Sequence, residues 1–182
     1  MKIVEESLNG VKLLKPIVHR DSRGFFFESY QQSTFDQLGL SFNPVQENHS
    51  SSTLAGTIRG LHFQLDPFAQ AKLVRVLRGL IYDVIVDIRS NSPTFGEWRG
   101  YHLSADNQYL LFVPKGFAHG FCTLVENTEV LYMVDSPYSP QHESGIIWSD
   151  PTLGITWPAG DKIFSEKDSL YPTFDEWMNN QH

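Results

Sequence analysis

The chain contains a single cysteine among its 182 residues, so no disulfide can form within it. No stretch approaches the about 18 consecutive apolar residues that a membrane-spanning helix requires. Residues 1–10 also lack an apolar stretch resembling a signal sequence, and we therefore expect a cytoplasmic protein with no membrane partner. The formal net charge of −7 disfavours nucleic acid as a partner, although a local basic pocket could still bind a small anion.

Long helical periodicity is scarce, whereas short β-like runs recur between turn residues. One short helix is predicted to begin after Ser33 and end near Gly39, and a second to follow Thr173. No linker or repeat divides the sequence, which predicts one domain over residues 1–182 and an all-β sandwich or barrel with a few short peripheral helices. The predicted strands are 11–18, 25–30, 45–51, 57–64, 72–77, 80–88, 99–103, 109–113, 117–124 and 129–135.

One face of the predicted strand at 80–88 carries two carboxylates, Asp83 and Asp87, among aliphatic residues. An unpaired carboxylate is costly to bury, so this pattern is unusual for a plain core. Two interpretations stay open: the face is exposed to solvent, or it lines a polar cavity.

Three residues that could carry chemistry have ordinary structural explanations when each is considered alone. A histidine inside a strand, such as His62, is more often structural than catalytic. Lys72 opens the next predicted strand, where a lysine is usually solvated. Tyr132 would by default be a half-buried core residue. None of the three predicts a catalytic site without further support.

Two stretches resemble the metal-binding motifs of cupins. Residues 114–119, PKGFAH, resemble the motif Pro-x-Gly-x-x-His, in which His119 would be a ligand. The other cupin motif supplies His-x-His, whereas this sequence has His62, Phe63 and Gln64. The neutral amide of glutamine is a poor ligand for zinc, iron or manganese. We therefore predict no catalytic metal.

Seven blocks of sequence stand out along the chain: RDSRGFFFESY at 20–30, QENHS at 46–50, RGLHFQ at 59–64, AKLVR at 71–75, SPTFG at 92–96, PKGFAHGF at 114–121 and YSP at 138–140. Each block is moderately specific, and the ordered set is highly specific. In their order and spacing they resemble the dTDP-4-dehydrorhamnose 3,5-epimerase family over nearly the whole length of the chain. The resemblance implies a cupin jelly-roll barrel that acts as a homodimer without a metal or an organic cofactor.

The resemblance implies a reaction and four catalytic residues. The implied reaction is inversion of C3 and C5 in dTDP-4-dehydro-6-deoxyglucose through an enolate. His62 matches the base, and Tyr132 matches the acid on the opposite face of the sugar. Lys72 matches the lysine near the ketone oxygen, and Asp168 is similar to the aspartate that pairs with the histidine.

The resemblance also implies a set of residues that bind the nucleotide sugar. Tyr138 matches the aromatic residue that stacks on thymine, while Arg23 and Glu28 are implied to reach the site from the neighbouring subunit. Glu47 stands where many members have aspartate, a change that should be tolerated because the contacts there partly use the backbone. The implied binding residues are Arg23, Glu28, Gln46, Glu47, Asn48, Arg59, His119, Tyr138, Glu143 and Lys167.

Arg59 and His62 pose a geometric problem, because strict alternation places them on opposite faces of a flat strand. If both contact the ligand, a bulge or twist permitted by Gly60 would have to re-aim one of them. We therefore expect an irregular strand at this position.

Three alternatives to the 3,5-epimerase remain open from the sequence. A relative on the same scaffold could invert only C3 or only C5, or shift the ketone, with the same histidine and lysine. A non-catalytic module that binds sugar nucleotides would need only the arginine and lysine residues and Tyr138. A metal-dependent cupin oxygenase is disfavoured by Gln64.

Overall fold

The computed structural model describes residues 1–180 and is built mainly from two antiparallel sheets and a separate hairpin. The helices are α1 (Gln32–Gln37), α2 (Glu166–Ser169) and α3 (Phe174–Asn179). The strands are β1 (Lys2–Ser7), β2 (Val11–Lys15), β3 (His19–Asp21), β4 (Gly24–Phe26), β5 (Gln46–Ser52), β6 (Ile58–Gln64), β7 (Lys72–Arg78), β8 (Leu80–Asp87), β9 (Trp98–Ser104), β10 (Leu110–Val113), β11 (Phe117–Thr123), β12 (Thr128–Val134) and β13 (Glu143–Gly145).

The strand order is that of a jelly-roll barrel, in which neighbours in space are seldom neighbours in sequence. The larger sheet has the order β1-β2-β10-β7-β12-β5, and the smaller sheet has the order β13-β6-β11-β8-β9. The hairpin pairs β3 with β4. The predicted all-β jelly roll with short helices is confirmed. Within the part of the chain that the structure describes, no helix is long and apolar enough to cross a membrane.

Several predicted boundaries were wrong. The strand predicted at 25–30 ends at Phe26, because β4 pairs only with the three residues of β3 and has no partner further on. Helix α1 begins at Gln32 rather than after Ser33, since the carbonyl of Gln31 accepts the first helical hydrogen bonds. Helix α3 does follow Thr173, whose hydroxyl accepts from the backbone of Glu176 in a capping box. Strands β1, β3 and β13 and helix α2 were not predicted.

Apolar burial accounts for the position of both sheets. The space between the sheets is filled by side chains such as Val74, Ile85, Leu111 and Phe121. A second cluster packs the outer face of the smaller sheet against the C-terminal segment. A third places α1 and the loop after it over the outer face of the larger sheet. The C-terminal segment is therefore held against the smaller sheet, next to β6.

Both faces of β8 are buried, because one faces the barrel interior and the other faces the C-terminal segment. The solvent-exposed interpretation of Asp83 and Asp87 was wrong, since both are fully buried. Asp87 pairs with Arg89 at 2.6 Å and accepts a hydrogen bond from Ser92. Burial acts to raise the pKa of Asp87, but the hydrogen bonds from Arg89 and Ser92 hold that pKa below its usual value.

Strand β6 is irregular at Gly60, as expected. His62 lies opposite His119, and Arg59 lies opposite Phe121, so three steps on β6 match two steps on β11. Gly60 has a φ of +143°, and a Cβ there would lie 2.5 Å from the backbone of β11. The extra residue turns Arg59 towards the cavity that His62 also lines.

Candidate active site

The barrel interior opens into a cavity of about 480 Å³ between the two sheets and the C-terminal segment. An adjoining cavity of about 220 Å³ shares His62, Lys72 and Tyr132 with it. The larger cavity is lined by Ser50, Thr57, Ile58, Arg59, His62, Lys72, His119, Phe121, Tyr132, Ile163, Phe164, Ser165, Lys167 and Asp168. The smaller one adds Gln46, Asn48, Phe63, Gln64, Gln70, Tyr138 and Glu143.

The two sheets contribute different chemical groups to this region. His62 comes from β6 of the smaller sheet, whereas Lys72 and Tyr132 come from β7 and β12 of the larger sheet. In the register of β12 with β7, Tyr132 lies opposite Val74, two residues from Lys72. Residues two apart on a strand share a face, so Lys72 and Tyr132 are diagonal neighbours inside the barrel. The imidazole therefore lies on one wall and the phenol and ammonium on another.

His62 is held by an aspartate from the C-terminal segment. Its Nε2 lies 2.6 Å from Oδ1 of Asp168, which is buried on α2. Burial acts to raise the pKa of Asp168, but the hydrogen bond and charge of His62 hold that pKa below its usual value. The carboxylate is thus ionised and accepts a hydrogen bond from Nε2, which selects the tautomer of the neutral ring whose lone pair is on Nδ1. This tautomer leaves Nδ1 able to act as a base.

Two further contacts support the His62 and Asp168 pair. The ring of Tyr171 packs edge to face against His62, with centroids 5.6 Å apart. The hydroxyl of Ser165 caps α2 by accepting from the backbone N–H of Asp168. Tyr171 and Ser165 were not predicted as site residues, because neither lies in a periodic segment or in one of the seven blocks.

Lys72 is an almost fully buried cation, with 8% of its surface exposed. Burial lowers its pKa to about 8, and the negative charges of Asp83 and Glu143 oppose this effect. Lys72 forms no ion pair with any residue in 1–180. Its ammonium group is therefore charged at neutral pH and available to a ligand.

Asp83 and His119 form a second buried pair below the cavity. Nε2 of His119 lies 3.0 Å from each carboxylate oxygen of Asp83. Both residues face the barrel interior, and His119 lines the larger cavity. Asp83 lines neither cavity itself but pairs with His119, which does, so the polar-cavity interpretation of β8 is not confirmed for it. Asp87 forms a structural ion pair with Arg89.

Tyr132 is a protonated phenol in this setting. Burial raises its pKa, the positive charge of Arg59 lowers it and the negative charge of Glu143 raises it, with a net rise. A neutral phenol can donate a proton, which is what an acid on this wall requires.

The remaining polar groups include two cations, Arg59 and Lys167, which we call the cationic side, and one exposed aromatic residue, Tyr138, which we call the aromatic side. Arg59 donates from Nε to the hydroxyl of Ser52 and from Nη2 to the carbonyl of Ser51. Lys167 pairs with Glu143 at 2.6 Å, and the hydroxyl of Tyr138 donates to the same carboxylate. Because Tyr138 is half exposed, its ring is accessible for stacking.

Three predicted binding residues lie outside this region. Arg23 is on the β3–β4 hairpin, with 88% of its side chain exposed, and pairs with Asp21. Glu28 lines a separate small cavity beside Phe26. Glu47 is exposed, because it alternates with Gln46 and Asn48, which line the smaller cavity.

The donor set does not fit a cupin metal. Gln64 donates from Nε2 to the carbonyls of Phe68 and Pro137 and accepts the N–H of Ser139. Its amide is therefore committed to the backbone rather than turned towards His62. Among residues 1–180, no three His, Cys, Asp or Glu side chains are grouped as metal ligands would be.

The fold and the site are those of a cupin-type barrel with an imidazole, a phenol and a buried ammonium in one interior cavity. A family model described as dTDP-4-dehydrorhamnose 3,5-epimerase matches residues 5–176. The chain is 48% identical over 178 residues to the dTDP-4-dehydrorhamnose 3,5-epimerase of Salmonella typhimurium, covering 97% of each protein. The chain belongs to the dTDP-4-dehydrorhamnose 3,5-epimerase family.

Solved structures agree with this assignment. The dTDP-4-dehydrorhamnose 3,5-epimerase of Bacillus anthracis, solved with TDP and PPi bound, is 54% identical, with a TM-score of 0.93 over 95% of this chain and 99% of that one. The epimerase of Legionella pneumophila, solved in complex with dTDP-4-keto-L-rhamnose, is 40% identical. Its TM-score is 0.91, over 96% of this chain and 93% of that one.

We expect Lys72 to titrate near pH 8, because burial destabilises its charged form. Asp83→Asn should lower the midpoint further, since it removes a negative charge that favours the ammonium. NMR of ¹³C-labelled lysine side chains, with the Lys72 signal assigned from Lys72→Met, measures the midpoint. Asp21→Asn, in the exposed hairpin, serves as the control and should not move it. A wild-type midpoint near 10.5, the ordinary pKa of lysine, would show that burial does not lower the pKa of Lys72.

Proposed function

We propose that the chain converts dTDP-4-dehydro-6-deoxy-D-glucose into dTDP-4-dehydro-L-rhamnose by inverting C3 and C5. The observation that carries the proposal is that His62 and Tyr132, from opposite sheets, line one cavity with the buried cation Lys72. Membership of the epimerase family supports it, as does the bound dTDP-4-keto-L-rhamnose of the Legionella pneumophila relative.

The proposed reaction depends on stabilising an enolate. The protons on C3 and C5 are α to the C4 ketone, so removing either one places negative charge on the ketone oxygen. The ammonium of Lys72 would meet that charge inside the barrel, where Coulombic interactions are stronger than in water. One such donor is worth about 3–4 kcal/mol of transition-state stabilisation.

His62 would remove the proton through Nδ1, the nitrogen that Asp168 leaves free. The imidazolium formed in this step would be stabilised by the carboxylate of Asp168, which keeps its negative charge near neutral pH. A base whose unperturbed pKa is about 6.5 suits proton abstraction near neutral pH.

Tyr132 would return a proton to the opposite face of the ring, which is what inverts the carbon. A base alone would exchange the proton with solvent and restore the original configuration. Since the phenol lies on the other wall from the imidazole, protonation from that wall gives the epimer. Each of the two carbons would pass through this cycle in turn. Between the two steps the imidazolium of His62 would lose its proton to solvent and the phenolate of Tyr132 would regain one from solvent.

The nucleotide would be bound by the cationic and aromatic sides described above. Arg59, held by β5, and Lys167, held by Glu143, would neutralise the pyrophosphate despite the acidic surface. The thymine base would stack on Tyr138, an interaction worth roughly 1–3 kcal/mol. His119 and Asn48 would contribute polar contacts from the walls of the two cavities.

A second copy of the chain would complete the site. Arg23 and Glu28 match nucleotide-sugar binding positions, yet neither lines the cavity that holds His62. The hairpin that carries Arg23 also exposes 56% of Phe25 and 66% of Phe26, an apolar surface that a subunit contact would cover. We therefore propose a homodimer in which this hairpin reaches the neighbouring cavity. The single-domain organisation, the cytoplasmic location and the lack of a cofactor or nucleic-acid partner stay predictions.

Turnover in deuterium oxide should place deuterium at both C3 and C5 of the product, because each inversion exchanges one proton with solvent-derived deuterium. NMR of the product, trapped by a rhamnose-forming reductase, reads both carbons and their configuration. Deuterium at only one carbon would favour a single-carbon epimerase. Binding of the substrate without any exchange would favour a non-catalytic module.

Tyr132→Phe should retain deuterium exchange but lose inversion at C5, since it removes the acid and keeps the base. His62→Ala is the matched comparison and should lose exchange at both carbons, because it removes the base. Both variants should keep the wild-type circular dichroism. An unchanged yield of the L-configured product from Tyr132→Phe would contradict the acid role. Exchange by His62→Ala above a tenth of the wild-type rate would contradict the base role.

Mixing two inactive variants should restore activity if the site is shared between subunits. Arg23→Ala and His62→Ala homodimers each lack a necessary group in both sites. In a mixed dimer, one site receives intact His62 from one chain and intact Arg23 from the other. Random exchange should therefore restore up to about a quarter of the sites. The shared site would be refuted if the mixture were no more active than the Arg23→Ala and His62→Ala preparations measured separately and added together.

A further inference from the structure

The loop between β12 and β13, residues 135–142, carries Tyr138 and is held by a buried side chain from another strand. Gln64, at the end of β6, accepts the N–H of Ser139 at 2.7 Å and donates to the carbonyl of Pro137 at 3.2 Å. It also donates to the carbonyl of Phe68 at 2.7 Å. The side-chain amide of Gln64 therefore hydrogen-bonds to the backbone on both sides of Tyr138.

Only an amide side chain can form this set of three hydrogen bonds. Gln64 meets one N–H and two carbonyls, so the position requires an acceptor and two donors on one group. A carboxylate could only accept, and a neutral imidazole has one donor and one acceptor. With 8% of its surface exposed, Gln64 has little access to water that could replace a lost partner.

Gln64 also connects the loop to the strand that carries His62. The two residues are two positions apart on β6, and both line the smaller cavity together with Tyr138. A second amide supports the same loop, because Gln46 on β5 accepts the N–H of Tyr138 at 2.9 Å. The loop is thus fixed to both sheets of the barrel.

We propose that Gln64 is a positioning residue for recognition of the nucleobase: it fixes the backbone on either side of Tyr138 and so sets the affinity for the thymidine part of the ligand. The inference rests on the proposed function, in which Tyr138 stacks on thymine. Gln64 occupies the place of the second histidine of the cupin His-x-His motif and performs a different task there. It acts on binding through Tyr138 and takes no part in proton transfer.

Gln64→Glu tests this inference, because it keeps the acceptor for Ser139 and removes both donors. Calorimetry on the intact chain should show Kd for TDP raised about tenfold, which corresponds to about 1.4 kcal/mol. Kd for inorganic pyrophosphate, which has no base, should change less than about twofold. In turnover, KM should rise by a factor similar to that for TDP while kcat stays within about threefold of wild type. Equal loss of TDP and pyrophosphate affinity, or a fall confined to kcat, would overturn the proposal.

Asn107→Asp is a matched control. Asn107 bridges backbone groups in the turn between β9 and β10 with the same amide chemistry, and it lies outside both cavities. This variant should bind TDP as wild type does. Loss of TDP affinity in the control equal to that in Gln64→Glu would show a general effect of such substitutions and overturn the specific role.

A double-mutant cycle tests whether Gln64 acts through Tyr138. Gln64→Met, which removes the hydrogen bonds without adding a charge, should weaken TDP binding in the wild type and have no further effect in Tyr138→Ala. An equal effect in both backgrounds would overturn the proposal, as would failure of both Gln64 variants to fold. TDP binding is measured without turnover, so a wild-type chain that binds TDP but gives no epimerisation refutes the proposed function alone.

Discussion

The site depends on keeping one ammonium group charged inside a protein barrel. A buried lysine loses its hydration, and a direct ion pair would restore its charge but occupy the group that a ligand needs. Lys72 meets this constraint through Asp83 and Glu143, whose charges act on it while their own closest partners are His119 and Lys167. Its ammonium therefore stays available.

His62, like Lys72, depends on a charged residue from another part of the chain. His62 belongs to the barrel, but Asp168 comes from the last part of the chain, 106 residues later. That segment reaches β6 because its apolar side chains, such as Phe174 and Trp177, pack on the outer face of the smaller sheet. The chemistry inside the barrel is thus coupled to apolar packing outside it.

The sequence predicted the class of fold well and the composition of the site in part. Alternation in segments such as 80–88 located most strands, and the ordered family blocks identified His62, Lys72, Tyr132 and Asp168. Pattern alone gave His62, Lys72 and Tyr132 an ordinary structural explanation, because no local signal reports which side chains meet across two sheets. The structure brings those four residues together, and their roles stay predictions.

Features that depend on tertiary packing could not be predicted. Tyr171 contacts His62 only because the irregular C-terminal segment folds back on β6. Strand β1, KIVEES, has no buried residue and no alternation of polar and apolar residues in its sequence, and it forms because β2 offers an edge with which it can pair. The partner of Asp83 lies on β11, which is distant in sequence and adjacent in the sheet. Such pairings follow from topology rather than from local composition.

The irregularity at Gly60 changes what a single strand can offer to a ligand. In a regular strand, residues of only one parity face a given side. The extra residue at Gly60 shifts the alternation of β6 by one position. Arg59, His62 and Gln64 therefore all face the interior, although the first has an odd number and the other two have even numbers. Seven residues therefore place an arginine, a histidine and the glutamine that holds the Tyr138 loop in one row. A deletion of one residue at this point would restore regular pairing and turn Arg59 and His62 to opposite faces of the strand.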